Sequence, residues 1–400
     1  MEDRPKKSFQ GWLEGFNSLT IRTQLIILLS PLLLLAAYIV GKVLVNEYRH
    51  LMPNLFYFTK ITILGGVLTF GITPLISFLA RKYNIVDPSG LKKLENGPIP
   101  LLGGTSIYVS FLIVLALFQP WNHEIVAILV GSTIIYVMGT VDDIMKLSSR
   151  IRLLGQVAAI AIVLSSGLVI SFMPDTPAGT VIAYVITVFW IVGITNALNF
   201  MDGADGLAAG IAAIASFFFF LIELHLGHYK VCLIAAILGG CCLGYLYHNF
   251  KPAKTYLGDG GSTFIGFVLA CIALYGEWSE KGHVVALGIP VLILGVLIFD
   301  MIYITISRVK NGNVRNLKEW LDYVGQDHFH HRLIHLGFKE EHAVIFIYVI
   351  CAILGISALV LEKSQLDYHV VILSAQAFLL FVSITMLMLI GRQDKKTKRK

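Results

Sequence analysis

The chain has 400 residues, of which 56% are hydrophobic and 14% charged, with a net charge of +6. Soluble domains carry roughly 25% charged residues, so this balance excludes an ordinary water-soluble enzyme. The basic residues are spread through short loops and a terminal tail, which is not the clustered footprint of a nucleic-acid binder.

Uncharged apolar runs of about 20 residues recur, each long enough to cross a hydrocarbon core about 30 Å thick. They predict about twelve spans, at 24–45, 56–80, 101–119, 124–141, 153–173, 180–198, 207–226, 231–247, 261–277, 284–307, 342–361 and 369–391. The first run is too long for a removed signal and lacks a small-residue cleavage site, so it reads as a retained anchor. The expected fold class is all-α: a polytopic integral membrane helical bundle. Cys232, Cys241, Cys242, Cys271 and Cys351 all fall inside apolar runs with no CxxC pair, and read as small buried hydrophobes.

Orientation follows from Lys and Arg. With the N-terminus in the cytoplasm, segments 1–23, 81–100, 142–152, 199–206, 248–260, 308–341 and 392–400 face inward. They hold roughly 25 of the 31 basic residues, the bias of the positive-inside rule. The expectation is a multi-pass protein of the inner (plasma) membrane with its active site on cytoplasmic loops. Residues 392–400 read as a basic cytoplasmic tail near anionic lipid. In the longest polar loop, Val314, Leu317, Leu321 and Val324 recur at helical spacing and predict a short surface helix.

The acidic residues gather on the same side. Asp142 and Asp143 lie where span 124–141 meets the cytoplasm, beside Lys146, Arg150 and Arg152. Such a pair can hold a cation or take a proton, or be an ordinary helix end in water. Asn196, Asn199, Asp202 and Asp205 recur every three residues between two apolar spans, and unpaired carboxylates at a membrane boundary call for a metal, a proton or a polar ligand. Asn249 opens a third segment that ends in Gly258-Asp259-Gly260-Gly261, a turn into a helix that suits phosphate. Asp259 can give an oxygen to Mg²⁺, which takes one or two carboxylates plus substrate phosphates. His328, His330, His331 and Arg332 stand within five positions and can grip a diphosphate, with a solvated basic loop as the plain alternative. Lys92 and Lys93 precede the stiff turn Pro98-Ile-Pro100, and read equally as lipid-phosphate ligands or topology residues. Asp300 lies inside an apolar run, where a carboxylate is either functional or paired with a neighbouring helix.

The order of these motifs resembles the polyprenyl-phosphate N-acetylhexosamine-1-phosphate transferases, the membrane superfamily that includes MraY. The carriers are Pro98-Ile-Pro100-x-x-Gly103-Gly104, Asp142-Asp143 with Arg150-x-Arg152-Leu-Leu-Gly155-Gln156, and Asn196-x-x-Asn199-x-x-Asp202-Gly-x-Asp205-Gly-Leu. Leu257-Gly258-Asp259-x-Gly261-Ser262 and His328-x-His330-His331-Arg332 complete the set. The H-x-H-H-R form is similar to the WecA/TagO branch. The resemblance covers about residues 56–391 and divides the chain into an N-terminal segment with an extra helix (1–55), a transferase membrane domain (56–391) with the family's usual eleven spans, and the tail (392–400). It implies transfer of N-acetylglucosamine 1-phosphate from UDP-GlcNAc to undecaprenyl or another polyprenyl phosphate, with release of UMP and Mg²⁺ (or Mn²⁺) as cofactor. It also implies roles: Asp142, Asp143 and Asp259 catalytic; Asp205 and Asp259 metal-binding; Lys93, Asn199, Asp202, Asn249, His328, His330, His331 and Arg332 substrate-binding. The implied partners are the two substrates and the bilayer, with a homodimer as a candidate assembly. The chain has Glu95 and Leu101 where the family often has His and Arg, and a longer stretch from Lys310 to Gln326. Another UDP-N-acetylhexosamine or UDP-MurNAc-pentapeptide is the alternative donor, and a secondary transporter the remote one.

Overall fold

The structure is a computed structural model that describes residues 52–87, 98–118, 121–170, 173–174, 176–278, 283–312, 314, 319, 325, 327–364 and 368–397. The predicted span 24–45, Lys93 and most of 310–326, with its predicted surface helix, lie outside the described residues. The chain divides into the units Met1–Leu55 and Phe56–Lys400, and the fold below is that of the second.

The described elements run α1 (Met52–Lys82), β1 (Val86–Asp87), β2 (Ile99–Pro100), α2 (Gly103–Phe118), α3 (His123–Met145), α4 (Ser149–Ser165) and α5 (Pro177–Met201). They continue with α6 (Leu207–Leu226), α7 (Tyr229–Asn249), α8 (Gly258–Tyr275), α9 (His283–Ile293), α10 (Gly295–Lys310), α11 (Phe329–His335), α12 (Glu340–Lys363) and α13 (Tyr368–Thr397). The one described sheet is the antiparallel β1–β2 pair, with Val86 opposite Pro100. Helix starts follow local chemistry. The Asn122 side chain accepts from the Ile125 N–H to start α3, and the Thr176 side chain accepts from the Gly179 N–H, with Pro177 just inside α5.

Eight described helices are long and apolar enough to cross a membrane. The predicted span 284–307 is a bent pair, in which α9 and α10 meet at 77° across Leu294. Pro290 and Gly295 flank the bend, the residue types at which a helix loses its hydrogen-bond ladder or its stiffness. An unbroken apolar run carries no periodicity that would mark this bend. α4 begins at Ser149 and ends at Ser165, so the predicted span 153–173 sits a few residues too late.

Helices α6, α7 and α8 form the buried centre, while α1 and α13 lie at the edge with apolar side chains such as Phe78 and Leu379 turned outward. That inversion is what a lipid-facing surface requires. Without a hydrophobic drive between helices in lipid, packing rests on close backbone approach at small residues. Gly104 on α2 meets Gly261 on α8 so closely that a Cβ on Gly104 would stand 2.2 Å from the Gly261 Cα. This contact ties the predicted Gly103-Gly104 turn to the Gly258–Gly261 segment. Gly104→Ala is therefore expected to lower stability by about 1–3 kcal/mol, as overpacking does. Gly71→Ala on α1, where a Cβ meets nothing within 4 Å, should leave the melting midpoint in detergent unchanged or raise it slightly.

Candidate active site

The site is built at the end of the bundle where α3, α5 and α7 finish and α6 and α8 begin. Gly258 holds a positive φ of 76°, and a Cβ there would lie 2.4 Å from the Leu101 carbonyl oxygen. Only glycine makes this turn without strain. The turn aims the first free amides of α8 at α3, where Asp143 accepts from the Asp259 N–H (3.0 Å) and the Gly260 N–H (3.2 Å). Both carboxylate oxygens are thus committed to a helix N-terminus, where amides lack partners and the dipole favours negative charge.

Asp142, its neighbour, is buried and has different partners. It accepts from the Leu147 N–H at 2.6 Å and from the Arg152 guanidinium at 3.1 Å. The Asp259 carboxylate stands within hydrogen-bonding reach of the Asp142 carboxylate. Asn199 on α5 donates to Asp259 Oδ1 and to the Ser262 hydroxyl, both at 2.9 Å, which fixes the Asp259 rotamer. Asp142, Asp259, Asn199 and Arg152 line a cavity of about 80 Å³ together with Gln156 and Asn196. The last two amides bond each other, Gln156 Nε2 to Asn196 Oδ1 at 3.3 Å. Their motif was visible in the sequence, but only the folded chain shows that they line the cavity.

The 202–206 turn closes the site. Asp202 ends α5, and burial, followed by the charges of Asp259, Asp143 and Asp205, pushes its carboxyl well above the ordinary range against the pull of the Gly258 N–H. A carboxyl in such surroundings is suited to keep a proton and donate a hydrogen bond. Asp205 accepts from the Ala253 N–H at 3.1 Å. The carboxylate that faces Asp259 is Asp142, while Asp205 reaches across to the segment after α7. Asn249 accepts from the Gly206 N–H and donates to the Thr255 carbonyl, both at 3.0 Å. Its amide therefore joins two loops of the scaffold.

The histidine motif approaches from α10 and α11. Arg308 forks onto Asp327, Nε to Oδ2 at 2.9 Å and Nη2 to Oδ1 at 2.7 Å. This fork holds the Asp327 carboxyl below its ordinary range although partial burial opposes it. Asp300 binds His328 Nδ1 at 2.7 Å and accepts from the Phe329 N–H at 2.7 Å. Arg332 donates to the Asp327 carbonyl (2.7 Å) and to the Ser307 hydroxyl (3.2 Å), and lies 4.7 Å over the Tyr303 ring. His330 is fully buried, and neither ring nitrogen has a hydrogen-bond partner. Its Nε2 faces Gly203, where a Cβ would stand only 2.8 Å away, so the motif touches the Asp202–Asp205 turn here. Burial, then the neighbouring His331 and His328, lower His330 to about 3. His331 is lowered as well, by burial and then by His328 and His335.

A model of glycosyl transferase family 4 matches residues 125–277. Over 302 residues the chain is 34% identical to the probable undecaprenyl-phosphate N-acetylglucosaminyl 1-phosphate transferase of Bacillus subtilis (strain 168), covering 74% of this chain and 82% of the relative. The chain belongs to this family. The decaprenyl-phosphate N-acetylglucosaminephosphotransferase of Mycobacterium leprae is 29% identical, over 74% of this chain and 81% of its own length. The undecaprenyl-phosphate alpha-N-acetylglucosaminyl 1-phosphate transferase of Escherichia coli (strain K12) is 28% identical, over 80% and 89%. The matched family segment contains every carboxylate of the site and ends before the histidine motif.

The buried His330 carries a stability consequence. Between pH 6.5 and about 3 the unfolded chain holds a proton on this residue that the folded chain refuses. Stability from this group is therefore intact above pH 6.5 and falls as pH drops through that window. His330→Gln should flatten the decline of the melting midpoint between pH 7 and pH 5; an unchanged slope would count against a neutral buried His330.

Proposed function

We propose that this chain is a membrane transferase that moves N-acetylglucosamine 1-phosphate from UDP-GlcNAc to a polyprenyl phosphate and releases UMP. The observation that carries the chemistry is the facing pair Asp142–Asp259, set beside Arg152 and Asn199 where helices end. The donor and acceptor classes come from the relatives, which are named for N-acetylglucosaminyl 1-phosphate transfer to undecaprenyl or decaprenyl phosphate. The site faces the cytoplasm of the inner membrane in this reading, because the basic loops lie on that side.

An acceptor phosphate oxygen attacks the phosphorus that carries the sugar. The bond from that phosphorus to the UMP oxygen breaks, and UMP leaves with the electron pair. Both reactants are anions, so the protein's work is positioning and offsetting charge. The donor set fits a hard divalent cation: two carboxylates line one small cavity, and oxygen ligands are what Mg²⁺ prefers. Among the described residues no group of three or more His, Cys, Asp or Glu side chains is placed to hold a metal. Two protein carboxylates, with waters and substrate phosphate completing the shell, match the way Mg²⁺ is usually held. Asp142 and Asp259 would hold it, and when bound it supplies charge neutralisation at the two phosphates.

The other residues orient these two. Asn199 fixes Asp259, and Arg152 with the Leu147 amide fixes Asp142. Asp143 holds the α8 N-terminus in place and acts through Asp259. Asp202, when protonated, donates a hydrogen bond to an anion in the site. His330 and His331 meet the sugar-diphosphate end as neutral donors, and Lys93 contributes a phosphate contact by its resemblance alone.

Purified protein with Mg²⁺, a polyprenyl phosphate and a panel of UDP-sugars should release UMP with UDP-GlcNAc preferred. Chelation of the metal or Asp259→Ala should reduce release at least about 100-fold, in the range of lost electrostatic stabilisation. Preference for UDP-MurNAc-pentapeptide would overturn the donor, and normal turnover in Asp259→Ala would remove that residue from the mechanism.

A further inference from the structure

The bent pair α9–α10 has no place in the chemistry above, yet it carries a fully buried carboxylate and a fully buried guanidinium. We propose that Asp300 and Arg308 are positioning residues that clamp the start of α11 onto α10, and that they divide the three histidines into one structural ring and two substrate-facing ones. This rests on the functional reading above and extends it to residues outside the site.

The geometry is a set of matched bonds. Asp300 uses one oxygen for the Phe329 N–H and the other for His328 Nδ1. His328 therefore donates from Nδ1, which leaves Nε2 as the acceptor, and the Arg308 Nη2 stands 3.5 Å from it. Both nitrogens of His328 look into α10. Two turns further along α10, Arg308 takes both oxygens of Asp327 in a fork. Five contacts thus fix residues 327–329 on α10. The residue after this clamp is His330, whose two ring nitrogens have no protein partner and whose Nε2 faces the Gly203 backbone. A buried imidazole without partners is unfavourable in a resting protein. It suits a ring kept in place for a polar ligand by its neighbours, as a carboxylate orients a metal-bound histidine.

A buried ion pair is weak evidence of stability, since apolar residues often do as well there. A bidentate Arg–carboxylate pair does fix geometry in two directions. That supports a positional role for a pair placed beside a reactive loop.

The test uses the full-length protein in detergent with diethylpyrocarbonate, reading each histidine by mass spectrometry, and His225 at the far end of α6 serves as the internal reference. In Asp300→Ala and in Arg308→Ala, modification of His328 and His330 should rise several-fold while His225 stays unchanged. Kinetically, the KM for UDP-GlcNAc should rise about tenfold with the KM for polyprenyl phosphate unchanged, the scale seen when an orienting partner is lost. Should Asp300→Ala not fold, Asp300→Asn keeps the shape and the Phe329 bond and is expected to show the same effects in smaller measure. A rise at His225 as large as that at His328 and His330, or no rise at any of them, overturns the proposal. So does a fall in kcat with both KM values unmoved, which a merely structural role would give. If UDP-GlcNAc is not a donor, the wild type will show no turnover, and the labelling pattern alone still decides whether the clamp exists.

Discussion

Two amide hydrogen bonds accepted by one carboxylate hold the site together. Asp143 reaches from the end of α3 to the Asp259 and Gly260 amides at the start of α8. Its neighbour Asp142 lines the same cavity as Asp259, so the short segment that anchors α8 also delivers a carboxylate beside Asp259. The closeness of those two groups follows from the anchor. Removing Asp143 would leave unpaired amides at a buried helix end and free the turn that sets Asp259 in place.

The adjacent acidic residues therefore separate into unlike jobs, a separation that sequence alone does not carry. Asp142 and Asp143 are consecutive and chemically identical, yet the first accepts from the Leu147 amide and Arg152 and the second from two amides of α8. Asp202 and Asp205 differ in the same manner: one carboxyl is crowded by three others, while the second receives an amide from the segment after α7. Asn249, which the family resemblance places with the substrate, uses both ends of its amide within the scaffold. Around this cluster the packing follows a rule suited to lipid, in which glycine-to-glycine approach between α2 and α8 brings the loops to one level.

Much of the fold was legible from length and polarity. An apolar run near 20 residues is a physical ruler for a bilayer, so 207–226 was expected as a span and is a helix over the same residues. The motifs that line the cavity were legible as polar residues in places where polarity is expensive. The bend at Leu294 was not, because a run that is apolar on every side has no period to interrupt. The clamp on the histidine motif was also hidden. Asp300 stood out as a buried carboxylate, but its partners lie 28 and 29 residues further on, and no local pattern links them. Arg308 stands 19 residues before Asp327, and no local pattern links that pair either.

In the proposed mechanism Asp142 and Asp259 form one cation site shared with the substrate phosphates. Electron paramagnetic resonance of Mn²⁺ added to the purified protein, with and without UDP-GlcNAc, tests it without relying on turnover. A bound Mn²⁺ signal is expected that changes on addition of the nucleotide sugar and is lost in both Asp142→Asn and Asp259→Asn, while Asp205→Asn retains it. Equal Mn²⁺ binding in the wild type and in the Asp142 and Asp259 variants would contradict it.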